Sequence, residues 1–162
     1  MKIGILTLSD KGSKGEREDF SGKILKEFSE AEGWNVIKYK IIPDEKELIR
    51  ETLKSWVDKE KLDLIITTGG TGVYPRDVTP EATKEVIEKE IPGISEYIRY
   101  ISYPITPMAA LTRGIAGIRK ETLIINLPGS PKAIKEIFPY LVPIIKHALE
   151  KIKGDSSECA RD

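Results

Sequence analysis

The chain has 162 residues, enough for one domain with a buried core, and its composition is 40% hydrophobic and 32% charged, as in ordinary globular proteins. Lys plus Arg equals Asp plus Glu at 26 each, so no net positive field draws in nucleic acid without sequence preference. No apolar run is long enough to span a bilayer, no signal-peptide pattern follows Lys2, and the single Cys159 excludes an internal disulfide and a cysteine-based zinc site, so a cytoplasmic protein is expected.

Strand and helix patterns alternate along the chain. Ile3 to Leu8 reads as a first buried strand. Phe20, Ile24, Leu25, Phe28 and Ala31 recur at helical spacing, with Gly33 as the stop. Val36 to Ile42 is a second strand, and Asp44 precedes a helix whose Ile49, Leu53, Trp56 and Val57 share a face. Leu62 to Thr68 is apolar or β-branched almost throughout, which suits a parallel strand covered on both sides. A helix is expected to open at Thr79-Pro80 as cap and first-turn proline, a second to carry Ile94, Tyr97, Ile98 and Ile101, and a short third to open at Thr106-Pro107. Leu123 to Leu127 is a further strand, and Ser130-Pro131 starts a helical region that reaches about Lys153, kinked or broken near Pro139 and Pro143. The expectation is one α/β domain over residues 1–153 with a mostly parallel sheet, followed by a polar, disordered tail over residues 154–162. The absence of Gln, the presence of only Asn35 and Asn126, and the abundance of Lys, Glu and Ile suit a protein that works at high temperature.

Ligands of open parallel sheets bind beyond the carboxyl ends of the strands. Two junctions there are unusual. Thr68-Gly69-Gly70-Thr71-Gly72 runs on through Arg76-Asp77-Val78-Thr79-Pro80, and its glycines let backbone amides approach an anion beside a helix start. Asn126-Leu127-Pro128-Gly129-Ser130-Pro131 repeats that logic, and two such loops on one sheet edge suit a substrate with several phosphates. Ser130 also fits a plain helix cap, and neither a P-loop nor a Gly-x-Gly-x-x-Gly dinucleotide motif is present. Asp44 with Glu47 fits a capping box. Asp77 beside a phosphate loop would repel the ligand unless a cation intervenes, which points to Mg²⁺, the alternatives being an Arg76–Asp77 surface pair or a turn residue. Asp10, after Ser9, lies on the same edge and could cap the following loop; Lys11 to Gly15 reads as a solvated basic loop. Gly70→Val is expected to weaken ligand binding while leaving the fold largely intact.

The stretch from Thr68 to Gly72, continued by Arg76-Asp77-Val78-Thr79-Pro80-Glu81-Ala82-Thr83, resembles the signature of the Mog/MoaB family of molybdenum cofactor biosynthesis proteins. Leu6 to Asp10, Ile42-Pro43-Asp44-Glu45, and Leu123 to Lys132 resemble the family's other blocks in the same order, and the likeness runs from Lys2 to about Gly154. The resemblance implies a three-layer α/β/α molybdopterin-binding fold, a homotrimer, and transfer of AMP from ATP to the terminal phosphate of molybdopterin with release of pyrophosphate. It places the two essential aspartates on Asp44 and Asp77, which are also the Mg²⁺ ligands expected here. Substrate contacts fall on Ser9, Asp10, Gly69, Gly70, Thr71, Gly72, Asn126, Pro128, Gly129 and Ser130. A molybdenum-insertion protein is the implied partner, and a MoaB-type protein that binds molybdopterin without catalysis is the alternative. Trp56, Tyr97, Tyr100 and Tyr103 are candidate contact aromatics in a trimer, each of which would also serve in a core.

Overall fold

A computed structural model describes residues 1–156. Strands β1 (Lys2–Leu8), β2 (Asn35–Ile42), β3 (Leu64–Thr68), β4 (Lys89–Glu90), β5 (Ala116–Arg119) and β6 (Thr122–Leu127) form one sheet in the order β2-β1-β3-β6-β5-β4. The pairs from β2 to β6 are parallel, and β5 and β4 extend the sheet antiparallel at the far edge. Strand order reverses between β1, which pairs with β2 on one side, and β3 on the other, so a crevice opens at their carboxyl ends.

Helices cover both faces, as the three-layer expectation requires. On one side α2 (Phe20–Ala31), α5 (Pro92–Ser102) and α6 (Pro131–Ile152) bury Leu25, Ile94, Ile98, Ile134, Phe138 and Leu141 against Ile3, Ile5, Leu64, Ile66 and Leu123. On the other, α3 (Lys46–Asp58) and α4 (Thr79–Lys84) pack Ile49, Leu53, Trp56 and Ala82 against Leu6, Leu8, Ile65 and Ile124. Each large aliphatic side chain so buried contributes about 1.5–3 kcal/mol. Trp56 is 6% exposed and belongs to this core, so it is not a subunit-contact aromatic. A side chain at Gly4 would strike Leu62 and Trp56, both 2.7 Å from an added Cβ, which is why this strand carries a glycine in its middle.

The structure departs from the sequence expectations at several joints. Asp44 does not cap α3: Glu45 stands at the cap with no side-chain bond, because the Asp44 carboxylate accepts from the Asp10 N–H instead. Thr79 is the first residue of α4 rather than its cap, and its hydroxyl donates back to the Gly69 carbonyl at 3.0 Å. Lys11 to Ser13 are not loop but part of a single helical turn, α1 (Asp10–Ser13), capped by Ser9, whose hydroxyl accepts from the Gly12 N–H. Pro139 and Pro143 do not break α6; both lie on its exposed face, where the carbonyls they leave unpaired meet solvent. Of the expected disordered tail, residues 157–162 lie outside the described residues, as does Cys159. No helix among the described residues is long and apolar enough to cross a membrane.

The β5–β6 hairpin is pinned electrostatically. Asp58 on α3 accepts from the Arg119 guanidinium at 3.0 Å and pairs with Lys120 at 2.6 Å. These cations, Arg119 first and then Lys120, hold its carboxyl down from 3.8 to about 2. A carboxylate depressed in the folded state stabilises the fold above its unfolded pKa, and the effect fades as pH falls from 3.8 toward 2. Asp58→Asn should therefore lower the melting temperature at pH 7, and the gap to the parent should close near pH 2. Melting curves across that range check this.

Candidate functional site

The crevice at the carboxyl ends of β1 and β3 is a cavity of about 560 Å³. Its floor comes from β1 and β3 through Thr7, Leu8, Ser9, Thr68, Gly69 and Gly70. Asp44 and Asp77 form one wall, Gly129 and Pro131 another, and the segment from Arg17 to Ser21 the rim. The volume falls in the range of small-molecule sites.

Both glycine-bearing loops reach this crevice, and they touch. The Gly69 N–H donates to the Leu127 carbonyl at 3.2 Å, the Thr68 hydroxyl donates to the Pro128 carbonyl at 2.8 Å, and a Cβ on Gly129 would lie 3.2 Å from the Gly69 Cα. Gly69 and Gly70 have φ of +96° and +64°, the left-handed region that side chains rarely adopt. The space beside each is already taken. A Cβ at Gly69 would collide with the Leu8 carbonyl, and one at Gly70 with the Thr79 hydroxyl and with Asp44 Oδ1 at 2.9 Å. The mildness expected of Gly70→Val thus gives way to a substitution that also disturbs the fold.

Below the loops lies a layer of satisfied buried hydroxyls. Asn126, 3% exposed, donates to Thr67 at 2.9 Å and Thr83 at 3.0 Å and accepts from the Ile115 N–H at 3.2 Å. Its side chain is thereby committed to tying β6 to β3, α4 and the segment before β5, beneath the cavity rather than on its wall. Thr71 is likewise buried, within 3.4 Å of the Thr112 hydroxyl. Gly72 is held by its carbonyl, which accepts from Arg113, and Ser130 caps α6 by accepting from the Ala133 N–H. Asp10, Thr71, Gly72, Asn126, Pro128 and Ser130 therefore frame the cavity, while Ser9, Asp44, Gly69, Gly70, Asp77 and Gly129 line it.

The acids are positioned by their neighbours. Asp10 and Asp44 clasp each other: the Asp10 N–H donates to Asp44 Oδ2 at 3.0 Å, and the Asp44 N–H to Asp10 Oδ1 at 3.1 Å. Arg76 grips Asp10 through both arms of its guanidinium, at 2.6 and 2.8 Å, and lowers the Asp10 pKa, so Arg76 pairs with Asp10 and the alternative of an Arg76–Asp77 surface pair is not realised. Asp44 is half-buried; burial pushes its carboxyl upward, and the charges of Asp10 and Asp77 add to this. Asp77 Oδ2 accepts from the Tyr74 N–H at 2.9 Å, so it is a turn residue in geometry as well as a cavity wall. Among the described residues, no group of three or more His, Cys, Asp or Glu could hold a metal unaided. The donor set that does face the cavity, carboxylate oxygen alone, fits Mg²⁺, which takes one or two carboxylates and completes its shell with substrate phosphates and water.

Two groups were not foreseen. Asp19 caps α2 and is 8% exposed, with its carboxylate accepting from the Thr7 hydroxyl at 2.7 Å, the Gly22 N–H at 2.8 Å and the Tyr39 hydroxyl at 2.5 Å. Its signal was visible: an Asp immediately before an amphipathic run is a cap candidate. Arg113 donates to the Gly72 and Asp77 carbonyls, both at 2.7 Å, and pairs with Glu81, so it fixes the Asp77 loop from below. Nothing local marks it, because all its partners are more than 30 residues away. Arg113→Lys keeps the charge but not the fork, and should destabilise the fold by about 2 kcal/mol, read by urea denaturation.

A mostly parallel sheet with two glycine-bearing loops in contact at its switch point and acids on one wall has the architecture of an α/β ligand-binding domain. Comparison with known proteins narrows this class. The profile of the family described as "Probable molybdopterin binding domain" matches residues 4–147, and the chain belongs to that family. It is similar to the molybdopterin adenylyltransferase of Helicobacter pylori, with 44% identity over 94% of this chain and 88% of that one. It is 46% identical to the molybdenum cofactor synthesis protein cinnamon of Drosophila melanogaster over 96% of its own length, but spans only 26% of that larger protein. The crystal structure of the molybdopterin biosynthesis enzyme MoaB from Thermus thermophilus superposes with a TM-score of 0.89 at 47% identity, covering 95% of this chain and 97% of that one.

Proposed function

We propose that this chain is a molybdopterin adenylyltransferase, which transfers AMP from ATP to the terminal phosphate of molybdopterin and releases pyrophosphate. The observation that carries the reading is the cavity itself: two backbone cradles in contact, facing Asp44 and Asp77, in a chain whose likeness to a curated adenylyltransferase runs almost end to end.

In the reaction, an oxygen of the pterin phosphate bonds to the α-phosphorus of ATP as the bond from that phosphorus to the bridging oxygen of the β-phosphate breaks. The chain's task is positioning and charge neutralisation, because neither reactant needs a covalent intermediate. The Gly70 backbone amide and the segment at Gly129 hold phosphate oxygens, while the Gly69 N–H, bonded to the Leu127 carbonyl, locks the two loops together. Asp44 and Asp77 would hold Mg²⁺, which neutralises the polyphosphate and stabilises the leaving pyrophosphate when bound. Asp10 and Arg76 fix the Asp44 carboxylate in place, and Arg113 fixes the Asp77 turn. A cytoplasmic setting and a molybdenum-insertion protein as recipient of the product complete the proposal. Mass spectrometry of protein incubated with ATP, Mg²⁺ and molybdopterin should show the pterin heavier by one AMP unit; unchanged pterin would refute the assignment.

The proposal extends to a homotrimer. Tyr100 and Tyr103 at the end of α5, with Ile105, Met108 and Leu111 around the 3₁₀ helix Pro107–Leu111, form an exposed apolar face that a second subunit would cover. Light scattering at micromolar concentration should return three times the chain mass; a monomer would count against the assembly.

A further inference from the structure

The cavity's rim carries two side chains that the phosphate cradle does not use. Arg17 is the one Lys or Arg among the residues lining the cavity, and no ion pair engages it among the described residues. Its neighbour Glu18 is already matched by Lys23 at 2.5 Å. Phe20, the first residue of α2, lines the same cavity and is 56% exposed, although a Phe gains most by burial. The segment that presents them is fixed at both ends. Before Arg17, the Glu16 N–H donates to the Lys11 carbonyl at 3.0 Å; after it, the Asp19 carboxylate is gripped by Thr7, Gly22 and Tyr39. A guanidinium and an aromatic ring thus line one cavity, three residues apart on a segment anchored at both ends.

We infer that Arg17 and Phe20 form a ring-recognition subsite, in which Phe20 stacks on a fused heteroaromatic ring and Arg17 takes a phosphate of the same ligand. The inference rests on the proposed function and specifies it: adenine and pterin are both such rings, and both arrive with phosphate. A guanidinium fork matches phosphate oxygens two at a time, and an exposed aromatic face gains by covering a flat ring. Stacking of this kind on a base is worth enough to change affinity about tenfold when the aromatic is removed.

The experiment is calorimetric titration of the full chain with three probes: ATP, molybdopterin, and tripolyphosphate, which carries charge but no ring. Phe20→Ala should weaken ATP or molybdopterin about tenfold and leave tripolyphosphate unchanged, and the ligand that responds identifies the ring. Arg17→Gln should weaken tripolyphosphate as well, with a shallower dependence on salt. Phe20→Trp supplies a spectroscopic check, since Trp34 and Trp56 are buried: the added emission should be quenched by the ring-bearing ligand and not by tripolyphosphate. Parental affinity for all three probes in Phe20→Ala, or an equal loss for all three, overturns the subsite while leaving the adenylyltransferase reading intact. Failure of the unsubstituted chain to bind either ATP or molybdopterin would instead overturn that reading.

Discussion

Asp77→Asn should reduce AMP transfer by a factor of 100 or more, roughly the loss of 2.7 kcal/mol or greater in transition-state stabilisation, with molybdopterin affinity nearly unchanged. The substitution conserves shape. The amide oxygen can still accept from the Tyr74 N–H, and the Asp77 carbonyl still receives Arg113, so the turn should survive. What disappears is the charge. Without it, a polyphosphate at the Gly69-Gly70 cradle loses one anchor for the cation that neutralises it, whereas the pterin need not be held through that metal. Asp44→Asn should fall as far by the same logic, with a difference in stability: burial and the Asp10 and Asp77 charges already oppose ionisation of Asp44, so neutralising it should not weaken the fold. For a carboxyl raised in the folded state, stability declines as pH rises from its unfolded pKa through its folded one, and Asp44→Asn should remove that decline. Steady-state kinetics at saturating Mg²⁺ and ATP, with melting curves on the same preparations, separate the two effects. Near-parental turnover in a folded Asp77→Asn protein would return Asp77 to the role of a turn residue.

Gly70→Ala should cost the fold about 2–4 kcal/mol and abolish detectable phosphate binding. The positive φ alone penalises a Cβ by about 1–2 kcal/mol. The added carbon also meets the Thr79 hydroxyl, which must give up its bond to the Gly69 carbonyl in a site with no exposure to water. Asp44 Oδ1, 2.9 Å from the same point, would be pushed away from the cavity wall. Gly93→Ala is the control, because its Cβ would meet nothing within 4 Å. It should be neutral or slightly stabilising through the unfolded chain. Urea denaturation of the two variants side by side tests the contrast; equal stability would mean that the crowding at Gly70 relaxes without consequence.

The parts of the molecule that were legible in sequence are those whose physics is local. Buried parallel strands announce themselves as apolar runs, as β1, β3 and β6 do, and the amphipathic spacing in α2, α3 and α5 survives intact. The first cradle was legible because Gly69 and Gly70 take a positive φ that side chains rarely adopt, and the second because Gly129 leaves room for the Gly69 backbone, 3.2 Å from where a Cβ would sit. The hairpin from β5 to β6 was not, since its turn places Lys120 at φ +52° where a Gly or Asn would have signalled it, and distant Asp58 and Glu88 supply the stabilisation. Asn126 drew attention as a rare amide beside a loop, yet its partners Thr67 and Thr83 are 59 and 43 residues away, and only the folded sheet reveals that it braces the site from beneath. Arg113, Arg76 and Asp10 act through equally remote pairings. In the same way, Asp44 could be noticed in sequence, but its clasp with Asp10 depends on β1 and β2 ending side by side.

The central claim is that this cavity directs attack on the α-phosphorus of ATP, and the fate of labelled phosphate tests it most directly. Protein, Mg²⁺ and molybdopterin should be incubated in parallel with ATP labelled at the α-phosphate and with ATP labelled at the γ-phosphate. Adenylyl transfer requires the α-label to move onto the pterin and the γ-label to leave as pyrophosphate, with both lost in Asp77→Asn. Appearance of the γ-label on the pterin, or retention of both labels in intact ATP while the pterin remains bound, would contradict it.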